Sequence, residues 1–181
     1  MEGGINGWKG FRAEGAPQSG MAYFSSAAMP EELMALAWYL EDGAYKFYSE
    51  MVKTLEDREA KAVFDELAAA EERHKTSLLK LYSELTGGTS EQEFPRSVIS
   101  PESEDVMEGG MSVTEALRWT KGKELTKILE LSLSLEANSF DLYIKMERQM
   151  KDQRSARAFQ LLSKEEKLHL QRLSSLLEKR I

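Results

Sequence analysis

The chain has 181 residues, enough for one domain with a sizeable core and little left over for a second. Its 31 acidic residues outnumber 24 basic ones for a formal charge of −7, and no basic stripe marks a nucleic-acid face, so nucleic acid is not an expected partner. There is no Cys, which excludes disulfides and thiolate-bound zinc or iron–sulfur centres within this chain. No apolar run approaches the roughly 18 residues of a membrane span, and the first residues lack a secretory pattern. The expected address is the cytoplasm, with no membrane partner.

Residues 1–28 carry Gly3, Gly4, Gly7, Gly10, Gly15, Gly20 and Pro17 without a sustained helical period, and read as a tail. Residues 29–181 read as one all-α domain. From Pro30, a natural first-turn residue, Leu33, Ala37, Leu40, Ala44, Tyr48 and Met51 recur at steps of three and four, predicting a helix to Leu55. Asp57 is a good N-cap for a second helix, whose apolar face runs through Phe64, Leu67 and Leu78 until Gly87-Gly88 stops it. Residues 87–112, with two Gly pairs, Pro95 and Pro101, read as a long connection, with a helical turn at Thr114–Thr120. A third long helix is expected from about Lys123 to Met150, and a fourth from the cap Asp152 to the end. Trp38, Tyr45 and Trp119 read as packing residues.

The two helical blocks repeat at an offset of 95 residues without a gap: Glu41 pairs with Glu136, Tyr48 with Tyr143, Asp57 with Asp152, Phe64 with Phe159, Glu71 with Glu166 and His74 with His169. Such a long period describes two similar helical hairpins related by an approximate twofold. Turns near residues 56 and 151 place the two Glu of each hairpin 15 residues from their turn, and hence level along the bundle. The connection, ~80 Å if extended, exceeds a helix of ~45 Å, which allows a full crossover between the hairpins.

Both His of the chain stand three residues after a Glu, as Glu71-x-x-His74 and Glu166-x-x-His169, so each pair shares a helix face. Glu41 and Glu136 add carboxylates from the core faces of the other two helices. A buried ionised carboxylate costs several kcal/mol unless paired or bound to a cation, and four would repel one another. Two divalent ions balance them, and mixed carboxylate and imidazole donors suit iron or manganese, with zinc as a further alternative. Tyr48 and Tyr143 lie two turns after Glu41 and Glu136, placed to hydrogen-bond a ligand carboxylate of another helix. Asp42 and Glu165, about 100° off the ligand direction, read as surface groups.

One Glu followed by Glu-x-x-His, repeated across two hairpins, resembles the ferritin-like di-iron superfamily, and the helix lengths resemble rubrerythrin, over about residues 30–180. The resemblance implies a four-helix bundle of two antiparallel hairpins joined by a long crossover. Within it Glu41 and His74 would serve one iron, Glu136 and His169 the other, with Glu71 and Glu166 bridging. It further implies hydrogen peroxide or dioxygen as oxidant, a separate rubredoxin-like electron donor because this chain lacks the paired Cys motifs, and a homodimer. Many rubrerythrins carry a further Glu three residues from the third-helix ligand, where this chain has Leu133 and Ser139. The alternatives to a peroxidase or ferroxidase are a metal-binding protein without turnover and a vestigial interaction module. The stretch Met1-Glu2-Gly3-Gly4-Ile5-Asn6-Gly7-Trp8, with Gly15-Ala16-Pro17, resembles the end of a rhodanese domain.

Overall fold

The computed structural model describes residues 29–88, 93–100 and 104–181, and the tail with its rhodanese resemblance lies outside them. These residues form five α-helices and no strand: α1 Pro30–Thr54, α2 Arg58–Thr86, α3 Val113–Thr120, α4 Leu125–Gln149 and α5 Gln153–Glu178. The architecture is all-α and consistent with a ferritin-like bundle. The expected caps hold the ends: Asp57 accepts the Ala60 amide at 2.9 Å, Asp152 accepts that of Ser155 at 2.8 Å, and Gly87 turns left-handed at φ 70°. The turn expected at Thr114–Thr120 is a full helix, capped by Ser112 at the Glu115 amide. Gly122 at φ 72° and extended Glu124 delay α4 by two residues from the expected start.

α1 packs on α2, α4 on α5, and α2 on α5, which joins the hairpins through their Glu-x-x-His helices. Arg172 meets Glu66 and Arg154 meets Glu84, so residue numbers rise on α2 as they fall on α5 and the two run antiparallel. Since α4 is antiparallel to α5, α2 and α4 point the same way, and the chain between them must return the length of the bundle. That is the crossover expected from its length.

The returning chain fills a gap. A 3₁₀ turn at Glu108–Gly110 packs against both α1 and α4. On α1 the contact is at Gly43, where a Cβ would stand 2.0 Å from the Val106 carbonyl oxygen; on α4 it is at Asn138, which lies under Gly109. Gly43 is in mid-helix, where glycine costs about 1 kcal/mol relative to alanine, and the close approach accounts for it.

The interior divides into two apolar layers. One holds Phe47, Tyr48, Phe64, Leu129 and Leu173; the other holds Leu33, Leu40, Leu78, Tyr143 and Phe159. Between them lies a band of buried charge.

Candidate metal centre

The structure brings all six expected residues together in that band. Glu41 comes from α1, Glu71 and His74 from α2, Glu136 from α4, and Glu166 and His169 from α5. Glu41, Glu71, Glu136, Glu166 and His74 are 1–2% exposed and His169 is 8% exposed. Each side chain is there because the three-and-four spacing that buries its apolar neighbours also turns it inward.

The donors form two overlapping sets, Glu41, Glu71, His74 and Glu166, and Glu71, Glu136, Glu166 and His169, with the donor atoms of each set within 4.8 Å of one another. Both imidazoles present Nδ1 to the carboxylates. His74 Nδ1 lies 3.0 Å from Glu41 Oε2, 3.0 Å from Glu71 Oε2 and 3.3 Å from Glu166 Oε1. His169 Nδ1 lies 3.1 Å from Glu136 Oε2, 3.3 Å from Glu166 Oε2 and 3.6 Å from Glu71 Oε1. Glu71 and Glu166 belong to both sets and thus stand between the two imidazoles.

The phenols cross between hairpins. Tyr48 of α1 donates to Glu136 Oε1 of α4, and Tyr143 of α4 donates to Glu41 Oε1 of α1. Each outer carboxylate is therefore oriented by a hydroxyl from the opposite hairpin. The two shared carboxylates have less support: Glu71 Oε1 and Glu166 Oε1 are buried without a hydrogen-bond partner. Leaving a buried acceptor unmet costs about 1–3 kcal/mol, more for a charged one. Inward-facing oxygens that nothing in the protein satisfies, among four carboxylates and two imidazoles, fit a cation-binding centre.

The buried carboxyls and imidazoles shift one another's proton affinity. Burial pushes Glu71 and Glu166 up, and their neighbours Glu41 and Glu136 push in the same direction, so both carboxyls titrate well above the usual range. Burial also opposes ionisation of Glu41, but the charge of His74 and hydrogen bonds from Glu71, His74 and Tyr143 outweigh it and bring the group to about 2. Glu136 is likewise lowered against its burial, by His169, Glu166 and Tyr48. Burial would lower both histidines, yet the surrounding carboxylates raise them, His74 well above its ordinary value. Glu41 and Glu136 are thus shifted toward the charged form, and Glu71, Glu166 and the two imidazoles toward the protonated one. A divalent ion bound there would compete with protons for the carboxylate and imidazole lone pairs.

Glu165 and Asp42 are not the plain surface groups the helix direction predicts. Glu165 Oε2 lies 2.9 Å from His74 Nε2, and Asp42 joins Lys75 at 2.8 Å and Lys46 at 2.7 Å. A direction 100° off the ligands of one helix points at the next helix, where the partner stands. Lys75 of α2 is the cation that Asp42 meets across the hairpin. It is buried and sits 5.2 Å from the Trp38 ring centroid and 4.6 Å from that of Tyr45, so both aromatics flank a cation as well as pack.

Residues 32–118 match the family model for Rubrerythrin. That stretch includes Glu41, Glu71 and His74 and ends before the second hairpin. A solved structure of a hypothetical protein from Pyrococcus furiosus is 24% identical, covers 91% of this chain and 94% of its own, and superposes with a TM-score of 0.65. At that identity the likeness is one of fold, and its coverage extends across both hairpins. No curated protein matches the chain. The buried carboxylate and histidine group is able to hold metal. No helix among the described residues is long and apolar enough to cross a membrane.

Proposed function

We propose that the chain is a di-iron oxidoreductase that reduces hydrogen peroxide, or reacts with dioxygen as a ferroxidase, with electrons from a separate donor. The observation that carries this reading is the pair of overlapping donor sets, which share two carboxylates that each keep one buried oxygen without a hydrogen-bond partner. Glu41 and His74 would hold one ion and Glu136 and His169 the other, with Glu71 and Glu166 between them. Iron bound there would supply redox chemistry, two electrons and two protons being needed to convert one peroxide into two waters.

The protein's own part is to position and to exclude. Tyr48 and Tyr143 fix the outer carboxylates, while the apolar layers above and below keep bulk water from the cluster. With no Cys in the chain, re-reduction needs an external carrier. A cytoplasmic location and a homodimer remain part of the proposal.

Metal binding without turnover is a second reading, and Ser139 favours it. The positions three residues from Glu136 hold no further carboxylate, and the buried Ser139 hydroxyl donates to the Leu135 carbonyl of its own helix at 3.4 Å.

Elemental analysis of the purified protein, beside a Glu71→Ala/Glu166→Ala variant, tests the common premise. About two ions per chain in the parent and none in the variant are expected; no ion in the parent after anaerobic Fe(II) loading overturns it. Sustained peroxide consumption with a reductant supports the enzyme, whereas oxidation that stops after one round per site supports the second reading.

A further inference from the structure

The approximate twofold fails beside the two histidines. Glu165 of α5 stands against His74, and its partner at the 95-residue offset on α2 is Ala70. His74 Nε2 therefore meets a carboxylate at 2.9 Å. Among the described residues His169 Nε2 meets no hydrogen-bond partner, and the ring lines a groove of about 370 Å³ between α2 and α5, bordered by Ala70, Leu168 and Arg172.

This difference bears on metal binding through the imidazole itself. A neutral ring carries its proton on one nitrogen and its lone pair on the other. With Nε2–H donated to Glu165, the Nδ1 lone pair of a neutral His74 would be left for an ion held among Glu41, Glu71 and Glu166, and the carboxylate's charge makes that nitrogen a stronger donor. His169 Nε2 borders the groove instead, so no carboxylate fixes its tautomer or strengthens its Nδ1 as a donor. The His74 ring is covered by Glu165.

We propose that the two metal positions are unequal, the His74 position tight and the His169 position labile, with the second ion exchanging through the groove between α2 and α5. This rests on the two-ion reading above. Glu165 acts here as a positioning residue through His74.

Metal-free protein is titrated anaerobically with Co(II) against a chelating competitor, for the parent, Glu165→Ala and Glu165→Gln. Glu165 is half-exposed, so neither substitution removes core packing. In Glu165→Ala the tighter step is expected to weaken by about 10–100-fold while the weaker step stays in place. In Glu165→Gln, whose amide oxygen still accepts the Nε2–H, most of that loss is expected to return. His169→Ala should abolish the weaker step and spare the tighter one. If Glu165→Ala weakens both steps alike, or neither, the inequality is refuted while the two-ion reading stands. If the parent takes up no Co(II), both fall together.

Discussion

Paired at their offset of 95 residues, the two hairpins agree at Glu41 and Glu136, Tyr48 and Tyr143, Phe64 and Phe159, Glu71 and Glu166, and His74 and His169. They differ at Trp38 and Leu133, Asp42 and Ala137, Gly43 and Asn138, Ala70 and Glu165, and Lys75 and Leu170. The matched residues lie in the band of charge or in the apolar layers that enclose it. The unmatched ones face surroundings that differ between the hairpins: the returning crossover, which meets Gly43 by its backbone and Asn138 by its side chain, the cation between Trp38 and Tyr45, the single outer carboxylate on His74. Symmetry is retained where the ligand geometry needs it and relaxed at the periphery.

The largest way to disturb the matched set is to change its protonation. Glu71, Glu166, His74 and His169 all keep their protons to higher pH in the folded metal-free chain than in the unfolded one. The folded state thus binds more protons above the ordinary carboxylate value, and stability should fall as pH rises from there through the raised values. Glu41, depressed to about 2, contributes stability above its unfolded value that is lost toward strong acid. Denaturation in the presence of a chelator should give a lower midpoint at about pH 8.5 than at about pH 5.5. Metal-loaded protein should reverse the order, since ligands must shed their protons to bind.

The crossover contact separates the hairpins next. Gly43→Ala places a methyl group against the Val106 carbonyl and should cost about 2–3 kcal/mol, whereas Asn138→Ala at the matched position should cost under about 1 kcal/mol. Equal losses in urea denaturation would mean that the crossover leans on both helices alike.

Tyr48→Phe and Tyr143→Phe probe a pair that should behave alike. Each removes one hydroxyl from one outer carboxylate and should lower metal affinity by about tenfold in a competition titration. A large inequality would show that the phenols are matched in sequence but not in role.

Lys75→Leu, which gives the first hairpin the residue of the second, should have the smallest effect. It removes the 2.8 Å contact to Asp42 and the cation beside Trp38 and Tyr45. Asp42 keeps Lys46, so a loss of about 1 kcal/mol with unchanged metal content is expected.

The hairpins, their caps and the six charged residues were legible in the sequence because each depends on a local rule: spacing on one face, an Asp before a helix, a Gly after it. The offset then tied the halves together without knowledge of their contacts. Glu165 was not legible in that way, since a helix wheel tells where a side chain leaves its own helix and not what stands opposite. The one available signal was the break of the repeat at Ala70. The path of the crossover was also hidden, because residues 87–112 carry no period; Gly43 in the middle of a helix was its only trace.

Each donor set draws on both hairpins: Glu166 completes the set around His74, and Glu71 completes the set around His169. Within a hairpin the contacts are short-range along the chain and form early and fast, while the docking of one hairpin on the other closes the long loop between them and comes at greater entropic cost. A bound ion is thus a latch on that last step. It slows the separation of two halves that are already folded, so loading should be read less in the helix content of the chain than in the lifetime of its closed form.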